Sequence, residues 1–346
     1  MARFAMRGIK RMRGLVMVQR PVTRIVFLSF SAVVLSMLLL VSVPGCEKSE
    51  KKTYTIGYVN PNPGEREGAQ GFLSSMPKFG YVDGKNVMYI RCETRDKKCI
   101  ENALRGMAAK KVDLIFTVTT PATKMADRLT RGTGIPVVFV MYDAVRSGVV
   151  KSLINHGGNV TGIELVGSSA KALEWLRAIK PGTRHIWVPV CFDAGDAQLS
   201  LADLQQGAAE LGLKTTIAEV ATVGELRAAL SSMPKDIDAI FMIHSWLVGC
   251  NLKAVLHQAE MRKIPVVSAG HVHFDDGLLL SYGPLNDRTG HQAARLADQI
   301  LRGVRAADIP VETSDFYLGI NLKTARSIGL EIPDDILQQA DFIIRQ

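Results

Sequence analysis

The residues of this chain best suited to metal chemistry are His271 and His273, followed by Asp275 and Asp276. Imidazole and carboxylate ligate zinc, which would polarise a water or a carbonyl for hydrolysis. No HExxH or other ligand framework accompanies them. At a strand end His271 and His273 share one face, whereas Asp275-Asp276 fall in the following turn. The set therefore reads as structural or ligand-contacting, and a metal-dependent hydrolase is the minor alternative. Nucleotide chemistry is no better served. Gly132-x-Gly134 lacks a third glycine and precedes a strand instead of opening a helix. There is no GxxxxGK[ST] phosphate loop and no GxSxG elbow. No enzyme activity, metal or cofactor is expected.

Binding chemistry is better represented. Open parallel sheets hold ligands beyond the carboxyl ends of their strands, where helix N-termini present unpaired N–H groups. Asn60-Pro61-Asn62, Thr119-Thr120-Pro121 and Tyr142-Asp143 follow apolar strand candidates in the first part of the chain. Thr120-Pro121 has the form of an N-cap hydroxyl followed by proline at the first helical position, an end able to hold a carboxylate. Asp143 would meet an ammonium group. In the second part, Phe192-Asp193, His244-Ser245-Trp246 and Gly270-His271 hold equivalent places. The Trp246 indole would stack on a ring or an aliphatic chain. His244 and His271 suit an anionic or less polar compound.

These positions are defined by the elements that precede them. From Tyr54 onward short apolar runs alternate with helix-period segments, the pattern of a parallel α/β sheet. The first series of strands is 55–59, 86–91, 114–118, 137–140 and 160–165, with helices at 68–76, 99–110, 122–130 and 147–153. The second places strands at 185–190, 214–219, 239–243, 266–268 and 278–282, with helices at 169–179, 199–211, 223–231 and 251–263. A long amphipathic helix follows at 287–302, ended by Gly303 and Pro310. A strand at 316–320 and helices at 322–327 and 334–343 complete the chain. Two doubly wound α/β lobes are indicated, with the chain crossing between them more than once.

The first 45 residues are of another kind. Seven basic residues (Arg3, Arg7, Lys10, Arg11, Arg13, Arg20 and Arg24) and no acid precede the uncharged run Ile25–Val43. Gly45-Cys46 then opens a charged tether. This is the order of a signal peptide, with Cys46 at the lipidation position; the alternative is an uncleaved anchor, since the run just reaches membrane length. The chain carries +9, and the seven basic residues of the leader account for all but +2 of it. The mature part therefore gives no reason to expect nucleic acid as a partner. In an oxidising compartment the other four cysteines would form two bridges, Cys92–Cys99 across a short loop and Cys191–Cys250 between neighbouring strands.

Several segments resemble a family of ABC-transporter substrate-binding lipoproteins whose best-known members are tryptophan/tyrosine-type binding proteins. They are 157–162 (GGNVTG), Ser281-Tyr282-Gly283, 309–312 (IPVE), 320–325 (INLKTA), 80–87 (GYVDGKNV) and Thr120-Pro121-Ala122. The likeness runs in order through essentially the whole mature chain. It implies a type I periplasmic-binding fold, two lobes joined by three crossovers: 1–45 as signal peptide, 46–53 as tether, 54–160 with 284–306 as one lobe, and 161–283 with 307–346 as the other. Gly157-Gly158 and Gly283 would lie at lobe crossings and absorb hinge rotation. The implied protein is a monomeric, membrane-tethered capturer of a small organic solute for an ABC permease. The alternative is a sensor that presents its solute to a receptor.

Overall fold

The computed structural model describes residues 52–61, 66–154, 156–165, 168–192, 195–243, 245–271 and 274–346. Strands covered on both faces need apolar residues at successive positions, and Val137–Tyr142 and His185–Val190 are buried throughout. The first series comprises β1 (Tyr54–Val59), α1 (Arg66–Ser75), β2 (Val87–Cys92), α2 (Lys97–Ala109), β3 (Leu114–Val118), α3 (Thr120–Thr130), β4 (Val137–Tyr142) and β5 (Val160–Leu165). The second comprises α4 (Ser168–Ile179), β6 (His185–Val190), α5 (Gly195–Glu210), β7 (Lys214–Glu219), α6 (Val223–Ser231), β8 (Ala239–Met242), α7 (Trp246–Cys250), α8 (Leu252–Arg262), β9 (Val266–Ser268) and β10 (Leu280–Pro284). The chain ends with α9 (Asn286–Leu301), β11 (Glu312–Thr313), β12 (Phe316–Asn321), α10 (Leu322–Ser327), α11 (Asp334–Leu337) and β13 (Phe342–Ile344).

Two sheets result. The first has the order β11-β5-β4-β3-β1-β2, with every pair parallel. The second has the order β13-β12-β10-β9-β8-β6-β7, parallel except where β10 meets β12. Each sheet carries an apolar layer on both faces. This is the doubly wound two-lobe α/β architecture of the type I periplasmic-binding fold, joined by three crossovers.

The crossings differ in position from the sequence expectation. All of β5 pairs with β4, so the first crossing follows Leu165 instead of preceding Thr161. Helix α9 returns to the first lobe, where Ala293, Ala294, Leu296 and Ala297 are fully buried. The chain then stays there through β11, which pairs with β5, before β12 enters the second sheet. Close packing of α9 depends on Gly71 of α1, where an added Cβ would lie 2.7 Å from the Asp287 carbonyl oxygen.

The glycines divide accordingly. Gly157 has φ +71°, yet Gly157-Gly158 lie in the turn into β5 and not at a crossing. Gly283 does lie beside a crossing, in β10. There it is required by space: a Cβ would stand 2.4 Å from the Ala269 carbonyl oxygen.

Two expected helices are altered. Residues 147–153 form turns, because Gly148 at φ +78° and the branched Val149-Val150 interrupt the helical path. The last helix stops at Leu337. Asp341 then docks on β12: its backbone N–H donates to the Leu318 carbonyl at 2.8 Å, its carboxylate accepts the Leu318 N–H at 2.7 Å, and residues 342–344 continue as an edge strand. Among the described residues no helix is long and apolar enough to cross a membrane; the run 25–43 and Cys46 lie outside them.

The expected Cys92–Cys99 bridge is absent from this structure, in which Cys92 and Cys99 carry thiols. Cys92 is buried beneath α2 while the Cys99 side chain is exposed. Burial pushes the Cys92 thiol up. Cys191 is buried at the end of β6, and Cys250 is exposed in the last turn of α7.

Candidate functional site

The strand ends of the first sheet set out most of the expected residues side by side. Asn60 follows β1 and is buried, its backbone N–H donating to the Cys92 carbonyl at 2.9 Å. Thr119 follows β3 with φ +74°, a left-handed backbone that a β-branched residue adopts only under strain. It is also the N-cap of α3, one residue earlier than the sequence suggests, and its side chain makes no capping bond. The Thr120 hydroxyl turns inward and donates to the Tyr142 carbonyl at 3.1 Å, so it ties β3 to β4 instead of capping the helix. Pro121 is exposed in the first turn.

After β4 the chemistry becomes ionic. Asp143, at φ +44°, is buried. Its carboxylate accepts the Arg146 backbone N–H at 2.8 Å and also the Arg146 guanidinium Nε–H. The other arm of that guanidinium donates to Asp203 on α5, in the second lobe. The Tyr142 hydroxyl donates to the remaining oxygen of the same Asp203 carboxylate. Burial, reinforced by Asp203, pushes the Tyr142 phenol up, so it remains a donor at neutral pH. The hydrogen bonds to Asp143 and Asp203 likewise raise the Arg146 pKa and keep the guanidinium charged. Glu164 at the end of β5 completes the acidic surroundings; burial raises its pKa, opposed by the Ala144 N–H at 3.3 Å.

The second lobe contributes less than expected at one place and more at another. Ser245 accepts the Cys191 N–H on its hydroxyl at 3.0 Å, joining the ends of β8 and β6. Phe192 is half-buried and packs on the second-lobe core. Trp246 is 45% exposed, and Arg95, which follows β2 of the first lobe, lies over its ring at 4.1 Å. A cation faces the indole from across the cleft.

His271 is held within the fold. Its Nε2 lies 3.0 Å from the Gly283 carbonyl and 2.9 Å from that of Tyr317, while Nδ1 lies 2.7 Å from the Ser281 hydroxyl. The arrangement requires Nε2 to carry the proton and Nδ1 to accept from Ser281. Both nitrogens are engaged by β10 and β12, so His271 fastens the strands beside two crossings. Burial lowers its pKa. Asn62, His244 and His273 lie outside the described residues, and Asp275-Asp276 form a short 3-10 turn with Phe274.

Three residues emerge only from the structure: Arg95, Arg146 and Asp203. Arg146 carried a local signal, a base three positions after an acid. Asp203 carried none, being one acid among the polar positions of a long helix. Two of the lobe-to-lobe contacts stand at β4 and β2, three strand steps apart in the first sheet and so separated by roughly 14 Å. Between them lie the ends of β3 and β1, with Thr119 and Asn60.

Comparison with known proteins agrees with this architecture. Residues 59–344 match the ABC transporter substrate binding protein family. A tyrosine-binding protein of Clostridioides difficile (strain R20291) is 26% identical over 288 residues, covering 82% of this chain and 83% of that protein. The crystal structure of an ABC domain in complex with L-Trp from Streptococcus pneumonia superposes with a TM-score of 0.75 at 22% identity, over 85% of this chain and 100% of the other. A ligand-free, open substrate-binding protein with adhesive properties from Clostridium difficile gives a TM-score of 0.68 at 26% identity, again over 85% and 100%.

Proposed function

This chain belongs to the ABC transporter substrate binding protein family, and from that premise we propose that it captures an amino acid or a related small organic anion between its lobes. It is exported, held at a membrane by a lipid on Cys46, and delivers its solute to an ABC permease. The observation that carries the reading is the convergence of strand ends from both sheets on one cleft, bounded by the Asp203 contacts on one side and Arg95–Trp246 on the other. The tyrosine-binding relative and the L-Trp-bound structure favour an aromatic amino acid or a compound of similar size.

Thr119, Thr120, Pro121 and Asn60 form the polar wall on the first lobe, where main-chain N–H groups at the start of α3 face a carboxylate. Trp246, Ser245 and Phe192 form the opposing wall, with the exposed indole available for stacking. No bond is made or broken in the solute; affinity comes from contacts that exist only when the lobes meet. Native mass spectrometry of the mature protein, then a thermal-shift screen of amino acids, their keto acids and other small anions, tests the proposal. A true solute at a hundredfold excess over its Kd adds about 2.7 kcal/mol of stability. A screen in which no amino acid or small anion shifts the melting temperature would sink it.

A further inference from the structure

We propose that Asp203 is a positioning residue for lobe closure, whose docking on Tyr142 and Arg146 sets the closed fraction of the protein before any solute binds. The inference rests on the solute-binding reading of the cleft and adds to it a contact that solute does not make. Both oxygens of the Asp203 carboxylate are engaged, one by the Tyr142 hydroxyl and one by the Arg146 guanidinium. Both partners belong to the first lobe, Tyr142 at the end of β4 and Arg146 in the turn after it, whereas Asp203 stands on α5 of the second. Arg146 therefore joins an acid of its own lobe, Asp143, to an acid of the other through a single planar cation. Such forked geometry fixes orientation as well as distance.

The environment sets the strength. The Asp203 side chain is 13% exposed and that of Arg146 is 43% exposed. The acid is thus well shielded and the base is wet, so the pair is screened by salt and worth far less than a buried one. When the lobes part, both groups regain water, and Arg146 keeps Asp143. The latch is reversible by construction. The Arg95–Trp246 contact on the far side of the cleft adds a second weak fastening of the same kind. Two weak contacts bracketing the cleft raise the share of molecules whose walls are already aligned. Apparent affinity rises in proportion, because only the aligned fraction binds.

The test uses the full-length chain in lipid nanodiscs without any added solute. Spin labels are introduced through noncanonical residues at positions 88 and 261, exposed on β2 and α8 in different lobes, and the interlobe distance distribution is measured by pulsed electron resonance. Asp203→Asn and Arg146→Gln should each lower the closed-to-open ratio by about fivefold. The double variant should fall no further than Asp203→Asn alone. Raising salt should move the wild-type distribution in the same direction and the Asp203→Asn distribution much less. Should Asp203→Asn fail to fold, Arg146→Gln and the salt series decide. Distributions superimposable on wild type for the variants, or losses that add fully in the double variant, would overturn the latch. Because no solute is present, that outcome leaves the solute screen to decide the binding reading separately.

Discussion

At the scale of single residues, two side chains divide the work that sequence alone assigned to ligand contact. Trp246 remains at the cleft, and replacing it with Ala should weaken solute binding by about 1–2 kcal/mol without unfolding the protein, as calorimetry and circular dichroism would show. Unchanged affinity would remove it from the wall. His271 is a fastening of the fold. Its pKa is held low by burial, opposed by the Tyr317 and Gly283 carbonyls and by Asp341. The unfolded chain therefore takes up the proton first as pH falls. Stability is intact above the ordinary histidine value of about 6.5 and is lost as pH drops through that value towards the lower folded one. The urea midpoint should fall between pH 7.5 and pH 5, and more steeply than in His271→Gln, whose amide offers a donor and an acceptor without a titration. Equal slopes in the two proteins would show that other groups govern the acid limb.

At the scale of elements, space is the constraint most easily tested. Gly283→Ala places a methyl 2.4 Å from the Ala269 carbonyl oxygen, and β9 has to move away from β10. A loss of about 1–3 kcal/mol in chemical denaturation is expected, and a wild-type midpoint would show that the strands separate freely. The strands themselves were legible because a doubly covered sheet demands uninterrupted apolar runs, as in Val137–Tyr142. Strand ends, and with them Asn60, Thr119, Tyr142 and Asp143, followed from the same signal. Two helices misled for local reasons: Gly148 breaks the turn that composition favoured, and Asp341 draws the chain end onto β12 by contacts no helical period records. The cross-lobe pairs were invisible for a different reason. Tyr142 and Asp203 are 61 positions apart, and Arg146 and Asp203 are 57. Their meeting is a product of packing two lobes, which leaves no spacing in the chain.

At the scale of the whole molecule, tethering and topology are the issues. Metabolic labelling with palmitate should mark the wild type and not Cys46→Ala, and an unlabelled wild type retained with membranes would argue for an uncleaved anchor. The crossings have a consequence for how the molecule comes into being. The inner layer of the first lobe takes Ala293, Ala294, Leu296 and Ala297 from α9, and its sheet takes an edge from β11. Neither lobe is a contiguous stretch of chain. While export is in progress, the segment emerging first therefore waits with one side of its interior wet until nearly the last sixth of the polypeptide arrives. Folding is in this sense postponed to the end of secretion, when both halves complete together, and a chain cut short after Pro284 would present its unfilled side to proteases and chaperones.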